Sequence, residues 1–318
     1  MVRLSDILLT PSVFISLFLE VAIFILLSYA FYFSIFLLKN YKQDASTTHY
    51  VLEKKSYLLV TIISVSMLIK LLLLPIFFST LDGVSNLIPG AMCSAGVVSA
   101  NSFGNYVVAI KIFIILASLL WLRLNAQDEV THRQPYFKLK LYLYLGLYLF
   151  ISLELLLEIN FFTHLPTDSP VLCCSSIYTA KESGFFLSTI SVTYLFIPYL
   201  LVYLSLIVSN QKRKKYFSIF LSLIFTYLSY YLLVYFLGTY IYELPTHKCP
   251  YCMLQKDYYF IGYLIYFSLF MGVYYSLSAF LFDFSQNDYK KSSLFFSLYF
   301  LLSLSNFILY LLKNHTLL

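Results

Sequence analysis

Charged residues are scarce in this sequence, while long apolar runs are abundant. Charged side chains make up 11% of the 318 residues and hydrophobic side chains make up 60%. A soluble domain carries about 25% charged residues on average. The scarcity of charge therefore excludes a soluble globular protein, and the long apolar runs indicate a polytopic helical membrane protein.

From the sequence we also expect no cleavable leader, no separate soluble domain and no internal repeat. The first apolar run, residues 11–38, is longer than a signal-peptide core and has no small-residue cleavage site, so we expect a membrane span there. The connections between the apolar runs are too short for a soluble domain. We therefore expect residues 1–318 to form a single integral membrane domain.

Eight apolar runs are long enough to cross a bilayer, whose hydrocarbon core needs about 20 residues of helix. The predicted fold is an all-α, polytopic transmembrane helix bundle of about eight spans. The spans are predicted near residues 11–38, 56–79, 105–123, 139–161, 185–209, 216–238, 254–282 and 293–312.

Lysine and arginine are distributed unequally between the two sets of alternate loops. One set carries fourteen of them, while the opposite loops and the two termini together carry five. Because positive loops stay in the cytoplasm, both termini are expected on the outer, periplasmic side of a bacterial inner membrane. The net charge of +6 then reflects topology and contact with membrane lipid, not nucleic-acid binding.

In this orientation the cysteines all lie in outer loops. The five are Cys93, Cys173, Cys174, Cys249 and Cys252. His164 and His247 lie in the same loops. Because the outer side of a bacterial membrane is oxidising, structural disulfides are one hypothesis for these cysteines. Redox chemistry and metal binding are the other two.

Five ionisable residues fall inside the predicted spans, on the half nearer the cysteines: Glu20, Lys70, Lys111, Glu154 and Glu158. Isolated charges at membrane depth are unfavourable, so such groups pair or line a functional cavity. Glu154 and Glu158 are four residues apart and so share one helix face. The sequence leaves open a structural ion-pair network or a polar cavity beneath the cysteine loops.

The segment HKCPYCMLQK, residues 247–256, places two cysteines at the mouth of the seventh span. A helix that begins at this motif would direct its N–H groups at the sulfurs and favour the reactive thiolate. Proline between the cysteines suits a first helical turn. Lys256 follows Cys252 by four residues, so it is predicted one helical turn away on the same face.

The stretch CPYCMLQK resembles the active-site segment of the DsbB-type quinone-linked disulfide oxidoreductases, a family with four spans. The resemblance implies that Cys249 and Cys252 are the redox pair and that Gln255 and Lys256 lie near a bound quinone. His247 would tune the pair, and the partner would be a periplasmic thioredoxin-fold protein. The remaining outer cysteines would relay electrons or brace the loops: Cys93, Cys173 and Cys174.

The same loops also suit a metal ion. Thiolate and imidazole ligands favour Cu(I) or Zn(II). A c-type haem is not expected, because Met253 stands where the haem-ligating histidine would follow the second cysteine. The alternative hypothesis is therefore a metal-binding or metal-handling membrane protein. Its candidate ligands are His247, Cys249, Cys252, His164, Cys173 and Cys174, and Cys93 could supply a further donor from its own loop.

Overall fold

The structure is a computed structural model that describes residues 7–40, 47–131, 135–172, 174–178, 192–282 and 287–315. The described residues contain helices and connecting turns and no β-strand. This confirms the predicted all-α class.

Eight helices are long and apolar enough to span a membrane, as predicted. We number the α-helices in chain order, short ones included. They are α1 Pro11–Asn40, α2 Thr47–Ser85, α3 Ser94–Ser99, α4 Gly104–Val130, α5 Phe137–Thr163, α6 Cys174–Ile177, α7 Val192–Gln211, α8 Lys215–Leu232, α9 Gly238–Tyr242, α10 Ile261–Leu281 and α11 Asn287–Asn314. A π-helical turn, Leu233–Leu237, joins α8 to α9, so these two helices form one candidate span, Lys215–Tyr242.

Several observed helices differ from their predicted bounds: α2 is Thr47–Ser85 against 56–79, α4 ends at Val130 against 123, and α11 begins at Asn287 against 293. The seventh spanning helix begins at Ile261, whereas the apolar run predicted a start at residue 254. The intervening residues adopt turn conformations, and they combine the polar Gln255, Lys256 and Asp257 with the aromatic residues 258–260, so the predicted run begins before the helix does. The fifth was predicted to begin at 185, and residues 185–191 lie outside the described part of the chain.

The chain forms two compact units, and each contains four of the spanning helices. The first unit comprises Met1–Pro89 and Val97–Val171, and it holds α1, α2, α4 and α5. The second unit comprises Gly90–Gly96 and Leu172–Leu318, and it holds α7 to α11. The short segment with Cys93 thus belongs to the second unit, together with Cys249 and Cys252.

The helices of the first unit pack through buried apolar side chains, and a few hydrogen bonds link neighbouring helices. The Tyr144 hydroxyl donates to the Leu27 carbonyl at 2.6 Å, which ties α5 to α1. The indole of Trp121 donates to the Lys140 carbonyl at 2.7 Å, which ties α4 to α5. Many large apolar side chains on the outside are exposed, as a hydrocarbon surround requires.

The second unit has an aromatic core. Phe225 on α8 stacks on Tyr199 of α7 at 5.2 Å between ring centroids, and it meets Phe296 of α11 edge-on at the same separation. Gly272 on α10 leaves room for Phe296, since a Cβ there would lie 2.7 Å from that ring. These contacts join α7, α8, α10 and α11 in one core.

Candidate functional site

The CPYC motif follows a helix that stops sharply. After the π-helical turn, α9 ends at Tyr242, and Glu243 takes a left-handed conformation with φ 54°. The amide of Leu244 then bonds back to the Thr239 carbonyl at 3.2 Å, which closes the last turn. Such an end reverses the chain immediately, and the motif begins a few residues later.

The motif itself forms short turns instead of the predicted α-helix. Cys252–Leu254 and Lys256–Tyr258 are single 3₁₀ turns, and the extended residue Gln255 (φ −83°, ψ 160°) separates them. Tyr259 and Phe260 are both left-handed, so α10 begins only at Ile261. The predicted α-helical turn from Cys252 to Lys256 therefore does not form, because the backbone leaves the helical region at the residue between them.

The described residues bring three cysteine sulfurs together in the second unit. The Sγ atoms of Cys93, Cys249 and Cys252 all lie within 4.8 Å of one another. The Cys93 and Cys249 sulfurs are 3.6 Å apart. This separation is a non-bonded contact, since a disulfide measures about 2.05 Å. All three side chains are buried, with exposed fractions of 0%, 1% and 4% respectively.

Cys93 reaches the motif on a segment of small residues, GAMCSAG, residues 90–96. Gly90 has φ 83°, a left-handed turn that glycine adopts without strain. Gly96 lies so close to Ala91 that an added Cβ would be 3.0 Å from its Cα. Small side chains thus allow the segment to fold tightly and bury the Cys93 sulfur.

Tyr242 connects the end of α9 to the backbone of Cys249 and of Met253, the residue after the motif. Its hydroxyl donates to the Cys249 carbonyl and accepts from the Met253 amide at 3.2 Å. Tyr266 on α10 donates to the Pro250 carbonyl at 2.8 Å. The hydroxyls of the buried Tyr242 and the half-buried Tyr266 therefore hold the backbone of the motif in place. The pattern of the sequence gave no reason to single out Tyr242 from the 31 tyrosines in the chain.

Two further tyrosines border the sulfurs and lie outside the spanning helices. Burial raises the pKa of Tyr251, and the nearby Tyr230, Cys249 and Cys93 oppose its ionisation as well. Burial likewise raises the pKa of Tyr178, with Tyr251 as the next cause. Both phenols therefore stay neutral, and the sulfurs lie in an apolar, weakly hydrated environment.

The remaining predicted site residues are placed differently. The His247 ring meets the Tyr242 ring edge-on at 4.4 Å, and its buried Nε2 finds no hydrogen-bond partner among the described residues. Gln255 is half-buried and Lys256 is exposed. The Nδ1 of His164, in the first unit, lies 2.9 Å from the Asn160 carbonyl oxygen. Cys173 and the side chain of Cys174 lie outside the described part of the chain.

A second buried cluster joins the ionisable residues of the first unit. Lys70 donates to Glu20 at 2.7 Å and to Glu154 at 2.6 Å. Lys111 donates to the other oxygens of the same two carboxylates at 2.8 and 2.7 Å, and it lies 2.8 Å from Glu158. Of the two alternatives that the sequence left open, the structure contains the ion-pair network. The adjoining cavity measures only about 10 Å³.

The fold and these clusters define a multi-pass helical membrane protein with a buried group of three cysteines in one unit and a buried ion-pair network in the other. No protein-family model, curated protein or solved structure matches the chain. Function is therefore argued from the two sites themselves.

Proposed function

We propose that this protein is a membrane metal-binding protein that holds a soft metal ion, Cu(I), between the thiolates of Cys93, Cys249 and Cys252. The observation that carries the proposal is the convergence of the three sulfurs within 4.8 Å of one another. Two of them belong to the predicted metal ligands. Cys93 was predicted as a redox relay or a brace and as a possible further metal donor, and its position supports it as the third ligand.

The separations of the sulfurs agree with coordination of one ion. Three sulfurs that each lie about 2.3 Å from a metal are about 3.8–4.0 Å from one another. The observed values, from 3.6 Å for Cys93 and Cys249 up to the 4.8 Å limit, span this range. A disulfide would instead require two of the sulfurs to approach to about 2.05 Å.

The ligand set favours Cu(I) over Zn(II). Thiolates are soft ligands that suit both Cu(I) and zinc, so the number of ligands decides between the two metals. Structural zinc takes four protein ligands in a tetrahedron, and the described residues bring together three. Buried thiols resist ionisation, but a bound cation replaces their protons and offsets the charge of the thiolates.

The direct test uses the full-length protein, purified in detergent under anaerobic, reducing conditions and loaded separately with Cu(I) and Zn(II). After desalting, we expect one copper per chain, with sulfur neighbours in X-ray absorption spectra. Cys249→Ser should abolish stoichiometric binding. Cys174→Ser should retain the copper. Loss of the ion in that variant would contradict a three-sulfur site, and zinc retained in place of copper would overturn the choice of metal.

The sidedness of the site is a separate part of the proposal. The distribution of lysine and arginine supports a bacterial inner membrane protein with both termini and the cysteine loops on the periplasmic side. Tyr259, which is 92% exposed, follows the motif, and Lys212 is exposed in the turn after α7. A membrane-impermeant thiol reagent should label Tyr259→Cys in intact cells and Lys212→Cys only after lysis. The reverse labelling would mean an inverted topology.

The contact between the Cys93 and Cys249 sulfurs also favours a second candidate, thiol–disulfide oxidoreduction. Two thiols would form a disulfide and pass two electrons and two protons to a quinone, which becomes a quinol. The partner dithiol of a thioredoxin-fold protein would then reduce the disulfide by exchange. This candidate needs an accessible sulfur, whereas all three are at most 4% exposed.

One assay separates the two candidates. The metal-free protein is mixed with a ubiquinone analogue and a reduced thioredoxin-fold dithiol, and quinol formation is followed by absorbance. Under the metal proposal, no turnover occurs above that of Cys249→Ser. Turnover that Cys249→Ser abolishes, in a protein that binds no copper, would overturn the metal proposal and establish the oxidoreductase.

A further inference from the structure

The ion-pair network of the first unit contains more acidic groups than basic groups. Its members are three carboxyl groups and two amino groups, and each side chain is at most 5% exposed. They lie on four different stretches of spanning helix, in α1, α2, α4 and α5. If every group were ionised, the cluster would carry one net negative charge. Such an unbalanced charge inside a membrane span is unfavourable.

The three carboxyl groups differ in the number of hydrogen bonds that they accept. Glu20 and Glu154 each accept a hydrogen bond from Lys70 and another from Lys111, so both oxygens of each have a partner. Glu158 is completely buried, and neither of its oxygens accepts a hydrogen bond from a described residue. Its Oε2 lies 2.8 Å from the Lys111 amino group, an ion-pair contact without hydrogen-bond geometry. Glu158 is thus the carboxyl group least stabilised as an anion.

We propose that this cluster is a buried proton-binding site and that its proton resides on Glu158. One bound proton makes the charges equal. Lys111 from α4, Glu20 from α1 and Glu154 from α5 are the charged groups that face Glu158, and Lys70 from α2 completes the network. Protonatable carboxyl groups at membrane depth commonly belong to proton pathways.

The geometry favours a proton over a metal cation. The oxygens of the three carboxyl groups lie within 4.8 Å of one another, but the two amino groups already occupy the positions between them. A second cation placed there would be repelled by both ammonium groups. The cavity beside Glu20 and Glu154, about 10 Å³, has room for a single water-sized molecule.

The test is infrared spectroscopy of the full-length protein in lipid vesicles at neutral pH, with Glu158→Gln as the main variant. The wild type should show the carbonyl stretch of a protonated carboxyl group, shifted in D₂O. Glu158→Gln, which has the shape of a protonated glutamic acid, should lose this band and keep the thermal stability of the wild type. Glu243→Gln, which changes an exposed carboxylate paired with Lys313, should retain the band.

Three outcomes decide the proposal. Loss of the band in Glu158→Gln alone supports it. Absence of the band in the wild type, together with saturable stabilisation by Na⁺ but not by choline, would show a cation site and overturn it. Absence of both the band and a sodium effect would show an unliganded network and would overturn it too. Copper loading is not needed for any of these measurements, so their result is independent of the metal proposal.

Discussion

The sulfur of Cys93 lies 3.6 Å from the sulfur of Cys249, although 156 positions separate the two residues in the chain. The two sulfurs meet because a tightly folded segment of small residues and a motif of consecutive short turns are both buried in the same unit. Cys252 completes the group. The following predictions test how this group and the ion-pair network depend on the residues around them.

Cys93→Ser should weaken Cu(I) binding by more than the roughly 10–100-fold that follows loss of an outer-shell partner, since a direct ligand is removed. Competition with a Cu(I) chelator of known affinity measures the change. Ser94→Ala, in the adjacent buried position, is the matched control and should bind as the wild type does. Equal Cu(I) affinity in Cys93→Ser and the wild type would show that Cys93 is not a ligand.

Tyr242→Phe should loosen the motif without changing a ligand. It leaves the buried Cys249 carbonyl and Met253 amide without their shared hydroxyl, at a cost of about 1–3 kcal/mol in unfolding free energy. Copper affinity should fall by about 10–100-fold, as expected for a group that positions a ligand. Tyr259→Phe, at a 92% exposed position, should change neither quantity. An unchanged affinity in Tyr242→Phe would mean that the hydroxyl does not position the site.

Gly262→Ala should destabilise the second unit where α10 passes the motif. An added Cβ would lie 2.5 Å from Met253 Cγ and 2.8 Å from its carbonyl oxygen. Overpacking of this kind costs about 1–3 kcal/mol, which a lowered thermal midpoint in detergent would show. Gly146→Ala is the control, because a Cβ there meets nothing within 4 Å. It should stabilise its helix by about 0.5–1 kcal/mol. Equal midpoints would argue against close packing of Gly262 on Met253.

Lys111→Met should be the most damaging single change in the first unit. Lys111 contacts three carboxyl groups, and its loss leaves buried charge uncompensated, which costs about 3–5 kcal/mol. Lys313→Met breaks an exposed pair with Glu243 and should cost less than about 1 kcal/mol. The folded yield and the thermal unfolding midpoint in detergent measure the stability of both variants.

A second substitution distinguishes lost charge balance from lost packing of the Lys111 side chain. Glu154→Gln added to Lys111→Met removes one negative charge and should recover part of the stability. If the double variant is no more stable than Lys111→Met, the packing of the side chain on Phe77, 4.8 Å from the amino group, is the dominant contribution.

Much of the architecture was predictable because membrane insertion depends on local composition. An apolar run of about 20 residues forms a span regardless of what it later contacts. The eight spans follow from that rule. The cost of isolated buried charge made an ion-pair network of Lys70 and Lys111 with glutamates one of two alternatives, and the structure contains it. The start of α10 was not predictable in this way, because Tyr259 and Phe260 are as apolar as helix residues but adopt left-handed backbone conformations.

The sequence alone determined that this is a multi-pass helical membrane protein and which residue types are available for chemistry. Only the tertiary structure decided that Cys93 joins Cys249 and Cys252, that Tyr242 bonds to the Cys249 carbonyl, and that no described residue donates a hydrogen bond to Glu158. The physical reason is the separation along the chain over which each effect acts. Hydropathy acts on neighbouring residues along the chain, whereas a metal site or a proton site depends on contacts within a few ångströms between segments far apart in sequence.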